Sequence, residues 1–241
     1  MELTSNKTVG QIVADDYRAA TIFEKYGIDF CCKGNRSIAD ACDLRQVNAE
    51  DVIKEIEALS DTNGGCCIDF RYLPASLLAD HIEEKHHTYV REKTPIIMRY
   101  LEKVCSVHGG LHPELLEVYN LFIQTAAELN NHMQKEEKVL FPRIRKLTMQ
   151  EAGIMDKNMP FNTSVKSPIH MMRHEHDVEG NRFRQIDMLT DHYTPPADAC
   201  NTYKVTFALL REFENDLHLH IHLENNLLFP KALEMEERLM N

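Results

Sequence analysis

Apolar side chains recur at helical spacing over most of the chain, first in short runs and then in long ones. Up to residue 60 the runs are short. Three of them follow residue types that favour a helix N-terminus: Thr8, Ser37 and Asn48. Gly27 ends another run, as glycine often does at a helix C-terminus. The pattern predicts a small helical N-terminal domain over residues 1–60.

Polar residues and the Gly64–Gly65 pair interrupt the pattern over residues 61–73, which predicts a linker. Four long amphipathic stretches follow, at 74–104, 113–146, 168–191 and 197–239. Pro95 is expected to kink the first or lie within it. Ser167 followed by Pro168 predicts the start of the third. Modest connections then predict an all-α fold in which residues 74–241 form an up-down-up-down four-helix bundle.

One motif occurs twice in the long helices. His132 and Glu136 recur as His220 and Glu224, both offset by 88 residues (220 − 132 and 224 − 136), and Leu-Phe-Pro follows each pair. Residues four apart lie on the same face of a helix, so each imidazole and carboxylate point at a common spot. The repeat therefore predicts metal ligands suited to iron or zinc.

The other two long helices should supply further histidines, and the repeat narrows the choice. An offset of 89 (176 − 87) pairs His87 with His176, whereas an offset of 88 (174 − 86) pairs His86 with His174. Spacing leaves both pairs open. The competing histidines are His81, His86 and His87 on the first helix and His170, His174 and His176 on the third.

Charge and composition restrict the class of protein. The chain has 241 residues and a net charge of −11, which argues against a nucleic-acid-binding surface. Its start lacks the apolar segment of a signal peptide, and no apolar run is long enough to cross a membrane. Seven cysteines, an odd number, do not suggest a secreted disulfide framework. We expect a soluble cytoplasmic protein.

Two pairs of adjacent cysteines stand outside the His/Glu pattern. Cys31 and Cys32 lie in a turn and do not form a zinc motif, because no Cys-x-x-Cys spacing occurs. Two interpretations stay open for this pair: a buried structural turn, or a pair that handles redox equivalents or iron. Cys66 and Cys67 form the second pair, and the sequence assigns it no role.

These motifs together resemble a known family. The segments around His132–Glu137, Glu175–Asp177 and His220–Asn226 resemble the hemerythrin-like domain of the iron–sulfur cluster repair di-iron proteins. The segment from Tyr26 to Gly34 is similar to that family's short N-terminal domain. The resemblance covers nearly the whole chain.

The resemblance implies four histidine and two glutamate ligands. Glu175 and Glu137 are candidates for orienting the ligand imidazoles or for a polar path by which iron leaves. The implied cofactor is a pair of non-haem iron ions with carboxylate and oxo or hydroxo bridges. The six matched ligands are His87, His132, Glu136, His176, His220 and Glu224.

The function implied is repair of iron–sulfur clusters damaged by nitric oxide or peroxide, with iron donation as the favoured mechanism. Nitric oxide reduction at the di-iron centre is one alternative, and binding or sensing of dioxygen or nitric oxide is another. The implied partners are damaged iron–sulfur proteins and these small ligands, without nucleic acid or membrane. The oligomeric state stays open, a homodimer being one alternative.

Overall fold

The computed structural model describes residues 7–16, 18–60, 69–155 and 164–240. Within these ranges the secondary structure consists of helices with no β-strand, apart from one isolated bridge between Thr8 and Ser37. The all-α prediction is therefore confirmed. Residues 61–68 lie outside the described ranges, and with them most of the predicted linker and the Cys66–Cys67 pair.

Four short helices make up the N-terminal module, by which we mean residues 7–60. They are α1 (Val9–Asp15), α2 (Ala19–Lys25), α3 (Ile38–Arg45) and α4 (Ala49–Ser60). Thr8 caps α1 by accepting the Gln11 amide, Ser37 caps α3 by accepting the Asp40 amide, and the Asn48 side chain accepts the Glu50 amide before α4. Gly27 follows α2 with a φ of 64°, a left-handed conformation that glycine adopts readily.

Four long helices form the bundle. Helix α5 spans 75–108, α6 spans 114–151, α7 is Lys166–Leu189 and α8 spans 201–240. Pro95 lies inside α5. Three of the helices contain one π-helical turn each: Glu83–His87 in α5, Glu136–Leu140 in α6 and Glu224–Leu228 in α8. None of the described helices is long and apolar enough to cross a membrane.

The long helices pack in the order in which they follow one another. Helix α5 contacts α6 and α8, and α7 contacts α6 and α8, which closes a ring of four. A short connection, 109–113, turns the chain between α5 and α6. This is the up-down-up-down arrangement that the sequence predicts.

Two apolar clusters fill the molecule, and the repeated His/Glu motifs fall between them. On α6, Leu129 and Met133 belong to the first cluster, whereas Leu140 and Phe141 belong to the second. The first cluster also contains the buried side chains of the N-terminal module, which packs on the bundle. A polar layer is thus enclosed by apolar packing on both sides, where burial makes unpaired charges costly.

The N-terminal module approaches α8 closely at two glycines. A Cβ atom on Gly10 would lie 2.9 Å from Asn226 Oδ1, and one on Gly34 would lie 3.1 Å from the same atom. The Asn226 amide donates to the carbonyl oxygens of Phe30 and Cys31 at 3.4 and 3.3 Å. This contact places the Cys31–Cys32 turn directly over α8.

One local expectation is wrong. Helix α7 begins at Lys166 after Val165, so Ser167 is not its cap and Pro168 lies inside the first turn. His108 forms the last residue of α5. The side chain of His112 is 18% exposed and pairs with Asp198 and Glu114.

Candidate metal centre

The six matched ligands come together in the polar layer between the two apolar clusters. Each side chain is almost fully buried. The π-helical turns help to place them: His87 ends one such turn, and Glu136 and Glu224 each begin one. A π turn adds one residue to the helical repeat, and such turns occur often at functional sites. The six residues are His87, His132, Glu136, His176, His220 and Glu224.

The ligand atoms form two sets of four, and both carboxylates belong to both sets. One set contains His87 and His220, and the other contains His132 and His176. Within each set the ligand atoms lie within 4.8 Å of one another. Two cations bridged by Glu136 and Glu224 would match this arrangement, with two imidazoles for each cation.

The distances show which imidazole nitrogen faces the centre. His87 Nε2 and His132 Nε2 both lie 3.3 Å from Glu136 Oε2. On the other carboxylate, His220 Nε2 lies 3.0 Å from Glu224 Oε1, and His176 Nε2 lies 2.9 Å from Glu224 Oε2. All four Nε2 atoms therefore point inward.

Several buried atoms of this layer have no hydrogen-bond partner among the described residues. They are His87 Nε2, both carboxylate oxygens of Glu136 and Glu224 Oε2. In addition, His132 Nε2 and His176 Nε2 face each other at 3.2 Å. Buried polar atoms normally have partners, and two imidazole nitrogens this close need a proton or a cation between them. The donor set of nitrogen and carboxylate oxygen fits iron.

Ionisation of the layer follows from burial and mutual attraction. Burial lowers the pKa of His132, but the Glu136 carboxylate outweighs it and the net pKa is raised well above the usual value. Burial also works against the charged form of Glu224, yet the His220 imidazole holds its pKa well below the usual range. Protonated imidazoles thus balance the charge of the carboxylates where a cation would bind, so cation binding has to release protons from the imidazoles.

Carboxylates hold the outward nitrogens of two of the imidazoles. His87 Nδ1 donates to Glu137 Oε1 at 2.7 Å, and His132 Nδ1 donates to Glu175 Oε2 at 2.9 Å. Arg91 hydrogen-bonds Glu137 and Lys135 hydrogen-bonds Glu175 at the surface. Such bonds fix the tautomer and orientation of a ligand imidazole. The hydrogen bond to His132 also lowers the pKa of Glu175 to about 2.

Sequence reasoning missed the group that holds His176. Its Nδ1 donates to Asn225 Oδ1 at 3.0 Å, and the Asn225 amide donates to the Cys31 carbonyl at 3.4 Å. The repeat contained a signal for this role, because Asn225 follows Glu224 as Glu137 follows Glu136. One amide therefore connects the metal layer to the cysteine turn.

The neighbouring histidines differ in their positions. His87 and His176 lie in the polar layer, whereas His174 is exposed. His86 is buried and contacts a candidate ligand. Its ring stacks on His220 at 5.4 Å between centroids, and its Nδ1 lies 3.0 Å from Asp216.

The Leu-Phe-Pro repeats line the centre. Phe141 stacks on His87 with an interplanar angle of 15°, and Phe229 stacks on His176 with an angle of 3°. Both rings belong to the second apolar cluster. They close the layer on that side and restrict the rotation of one imidazole in each set.

The Cys31–Cys32 turn contacts α7 through the His176 carbonyl and α8 through Asn225. The two Sγ atoms are 3.8 Å apart, and the Cys32 thiol donates to the His176 carbonyl at 3.6 Å. Asp29 Oδ1 accepts the amides of Cys31, Cys32 and Lys33 and so holds the turn. The neighbouring Cys32 thiol and burial raise the pKa of Cys31 well above the usual thiol value.

A four-helix bundle with one inward imidazole on each helix and two shared carboxylates is of the hemerythrin type. The family model described as the hemerythrin HHE cation binding domain matches residues 78–232. A second model, ScdA_N, described as a domain of unknown function (DUF542), matches residues 5–60. The chain thus carries a cation-binding bundle preceded by a second recognised segment.

The alignments with similar proteins extend over both segments of this chain. The iron-sulfur cluster repair protein ScdA of Staphylococcus haemolyticus is 34% identical over 229 residues, which cover 95% of this chain and 99% of the relative. The iron-sulfur cluster repair protein YtfE of Musicola paradisiaca is 34% identical over 240 residues, covering 95% and 97%. YtfE of Pectobacterium carotovorum is 32% identical over 238 residues, covering 96% and 98%. The chain belongs to the iron–sulfur cluster repair family of ScdA and YtfE.

Proposed function

We propose that this protein holds two iron ions in the polar layer and repairs damaged iron–sulfur clusters by donating iron. The observation that carries the proposal is the pair of buried four-ligand sets that share Glu136 and Glu224. The names of the relatives, iron-sulfur cluster repair proteins, support the same function. Each ion would have two imidazole nitrogens and a share of both carboxylates.

The chain's own groups suit a site that holds iron and can give it up. Iron bound there would supply redox chemistry and free coordination positions for a small ligand such as nitric oxide or dioxygen. Glu175 and Glu137 hold His132 and His87 from the solvent side, and their side chains are 25% and 20% exposed. They therefore offer carboxylate oxygens between the buried layer and water, where departing iron could be received.

The N-terminal module is the part that we assign to target contact. Cys31 and Cys32 lie over the metal layer and connect to it through Asn225 and the His176 carbonyl. The five cysteines of the described residues are free, which suits a reducing compartment, and we place the protein in the cytoplasm. Replacing both Cys31 and Cys32 by alanine should then impair repair and leave iron loading unchanged.

Iron transfer can be measured directly. A nitric-oxide-damaged iron–sulfur dehydratase is mixed with the iron-loaded protein, and the iron on each protein is counted before and after. We expect recovery of the dehydratase, with a matching loss of iron from this chain. Free iron at the same concentration serves as the control for transfer through solution.

The same experiment separates the alternatives. Recovery with no loss of iron from the chain would contradict donation and indicate a catalytic or chaperone role. Consumption of nitric oxide without recovery would indicate a nitric oxide reductase. Reversible binding of nitric oxide or dioxygen with neither effect would indicate a sensor.

A further inference from the structure

A cavity of about 290 Å³ opens where α3 and the cysteine turn meet α7. Four cationic side chains and one carboxylate line it: Lys33, Arg36, Arg45, Arg184 and Asp29. The whole chain carries a net charge of −11, so this local excess of positive charge runs against the overall balance. A concave cationic surface of this kind attracts anions.

Two of the four cations already have carboxylate partners. Arg184 Nη1 lies 3.2 Å from Asp29 Oδ2, and Lys33 Nζ lies 3.2 Å from Asp177 Oδ1. Arg36 and Arg45 have no carboxylate partner in the part of the chain that the structure describes. Two guanidinium groups are thus available to a ligand, and guanidinium groups bind carboxylates and phosphates in a bidentate manner.

The remaining wall of the cavity is apolar and consists of Ile28, Ala41 and Leu44. Leu44 is 62% exposed although it is a large aliphatic side chain. An inorganic ion would gain nothing from these side chains, whereas the carbon skeleton of an organic anion would cover them. The cavity therefore has a cationic surface for anionic groups and an apolar surface for a carbon skeleton.

We propose that this cavity binds a small organic polyanion of the di- or tricarboxylate class. Arg36 and Arg45 bind its anionic groups, and Ile28, Ala41 and Leu44 contact its carbon skeleton. The volume of about 290 Å³ suits a metabolite-sized molecule. This site is separate from the metal layer and does not depend on the proposed repair function.

The position of the cavity gives the bound anion an effect on the cysteine turn. Arg184 pairs with Asp29, the carboxylate that accepts the three turn amides. Cys32 Sγ and Arg184 Nη1 also lie within 3.7 Å of the position that a Cβ atom on Gly180 would take. An anion that draws Arg184 from Asp29 thus changes the surroundings of Cys32.

Calorimetric titration of the full-length, iron-loaded chain tests the proposal. The probe is propane-1,2,3-tricarboxylate, which lacks the hydroxyl group with which citrate chelates iron, and the iron content is measured before and after. We expect saturable binding by the natural sequence. Each of Arg36→Gln and Arg45→Gln should weaken binding about tenfold, because each removes a charge-assisted contact.

Arg99→Gln is the matched control. Arg99 is exposed on α5 and does not line the cavity, and its replacement changes the net charge by the same amount. We expect it to bind the tricarboxylate as the natural sequence does. Inorganic phosphate should bind more weakly than the tricarboxylate.

Several results would overturn the proposal. They are absence of tricarboxylate binding, an affinity unaffected by Arg36→Gln and Arg45→Gln, and an equal loss with Arg99→Gln. Phosphate that binds as tightly as the tricarboxylate would show that the apolar wall is not used. An acidic peptide such as oligoglutamate that binds more tightly would reassign the surface to a protein partner.

Discussion

At the scale of single residues, three of the four inward imidazoles are held at Nδ1 by a side-chain oxygen, supplied by Glu137, Glu175 or Asn225. His220 is different, because its Nδ1 has no hydrogen-bond partner among the described residues and its ring stacks on His86. Hydrogen bonds therefore fix the orientation of the first three imidazoles, and packing against His86 fixes that of His220. Metal affinity should depend on both kinds of support.

The shared carboxylates give the first prediction. Glu224→Ala removes the oxygens next to His220 and His176, so both ligand sets lose a member. We expect iron per chain, measured by mass spectrometry of the purified protein, to fall by more than half. Glu92→Ala is the control, since Glu92 is exposed on α5. A full iron complement in Glu224→Ala would show that this residue is not a bridging ligand.

Asn225 gives the second prediction, because it touches both His176 and the Cys31 carbonyl. Asn225→Ala removes the acceptor for His176 Nδ1 and should weaken iron binding at least about tenfold, as loss of such support does elsewhere. Asn225→Asp keeps an acceptor for His176 and should bind iron more tightly than the alanine variant. Competition with a chelator measures both affinities, and equal weakening would argue against the orienting role.

At the scale of elements, the π-helical turns are what align the ligands with the aromatic rings. In α6 the turn Glu136–Leu140 separates Glu136 from Phe141, which stacks on His87. The same arrangement in α8 separates Glu224 from Phe229, which stacks on His176. A regular α-helix with one residue fewer would rotate everything after the turn by roughly 100°.

The third prediction follows from this geometry. Deletion of Lys138, an exposed residue of the π turn in α6, converts that turn to α-helix and moves Phe141 away from His87. We expect the deletion variant to lose bound iron and to unfold at a lower temperature. Lys138→Ala keeps the helix length and should behave like the natural sequence. A deletion variant with normal iron content would show that the extra residue has no role in placing the ligands.

At the scale of the whole molecule, the N-terminal module packs on the bundle through partly buried acids as well as apolar side chains. Glu24 on α2 and Glu214 on α8 both approach His218 at 3.9 Å. Burial raises the pKa of Glu24 and of Glu214 to about 7 and lowers that of His218 to about 4. Both carboxyl groups at the contact between the module and the bundle therefore change charge near neutral pH.

The fourth prediction concerns pH. The folded state binds the Glu214 proton more tightly than the unfolded state, whose carboxyl group has a pKa near 4.5. The stability that this proton contributes is present below that value and is lost as the pH rises through about 7. The free energy of unfolding should fall less between pH 6 and 8 in Glu214→Gln than in the natural sequence, by about 1 kcal/mol.

Urea unfolding of the iron-loaded protein at the two pH values measures this difference. Glu92→Gln, at an exposed position, should show the pH dependence of the natural sequence. The same pH dependence in Glu214→Gln and in the natural sequence would mean that Glu214 is ionised throughout this range.

The sequence by itself determined the helices and the repeated motif. Apolar spacing and capping residues predict helices from local geometry alone, so Thr8 and Ser37 were correct as caps. The His/Glu repeat predicts His132, Glu136, His220 and Glu224 as ligands, because two residues four apart on one helix share a face whatever surrounds them. Ser167 is wrong as a cap, because α7 begins at Lys166 and the Val165 amide before it donates to the Glu236 carboxylate of α8, a tertiary contact.

Only the tertiary structure decided which histidines from different helices meet. Offsets of 88 and 89 left His86 and His174 open, because helix rotation depends on π turns and packing that spacing does not encode. The tertiary structure also joined Asn225 to Cys31 and brought Arg184 of α7 to the N-terminal cavity. These contacts join residues more than 150 positions apart, and only packing of the module on the bundle brings them together.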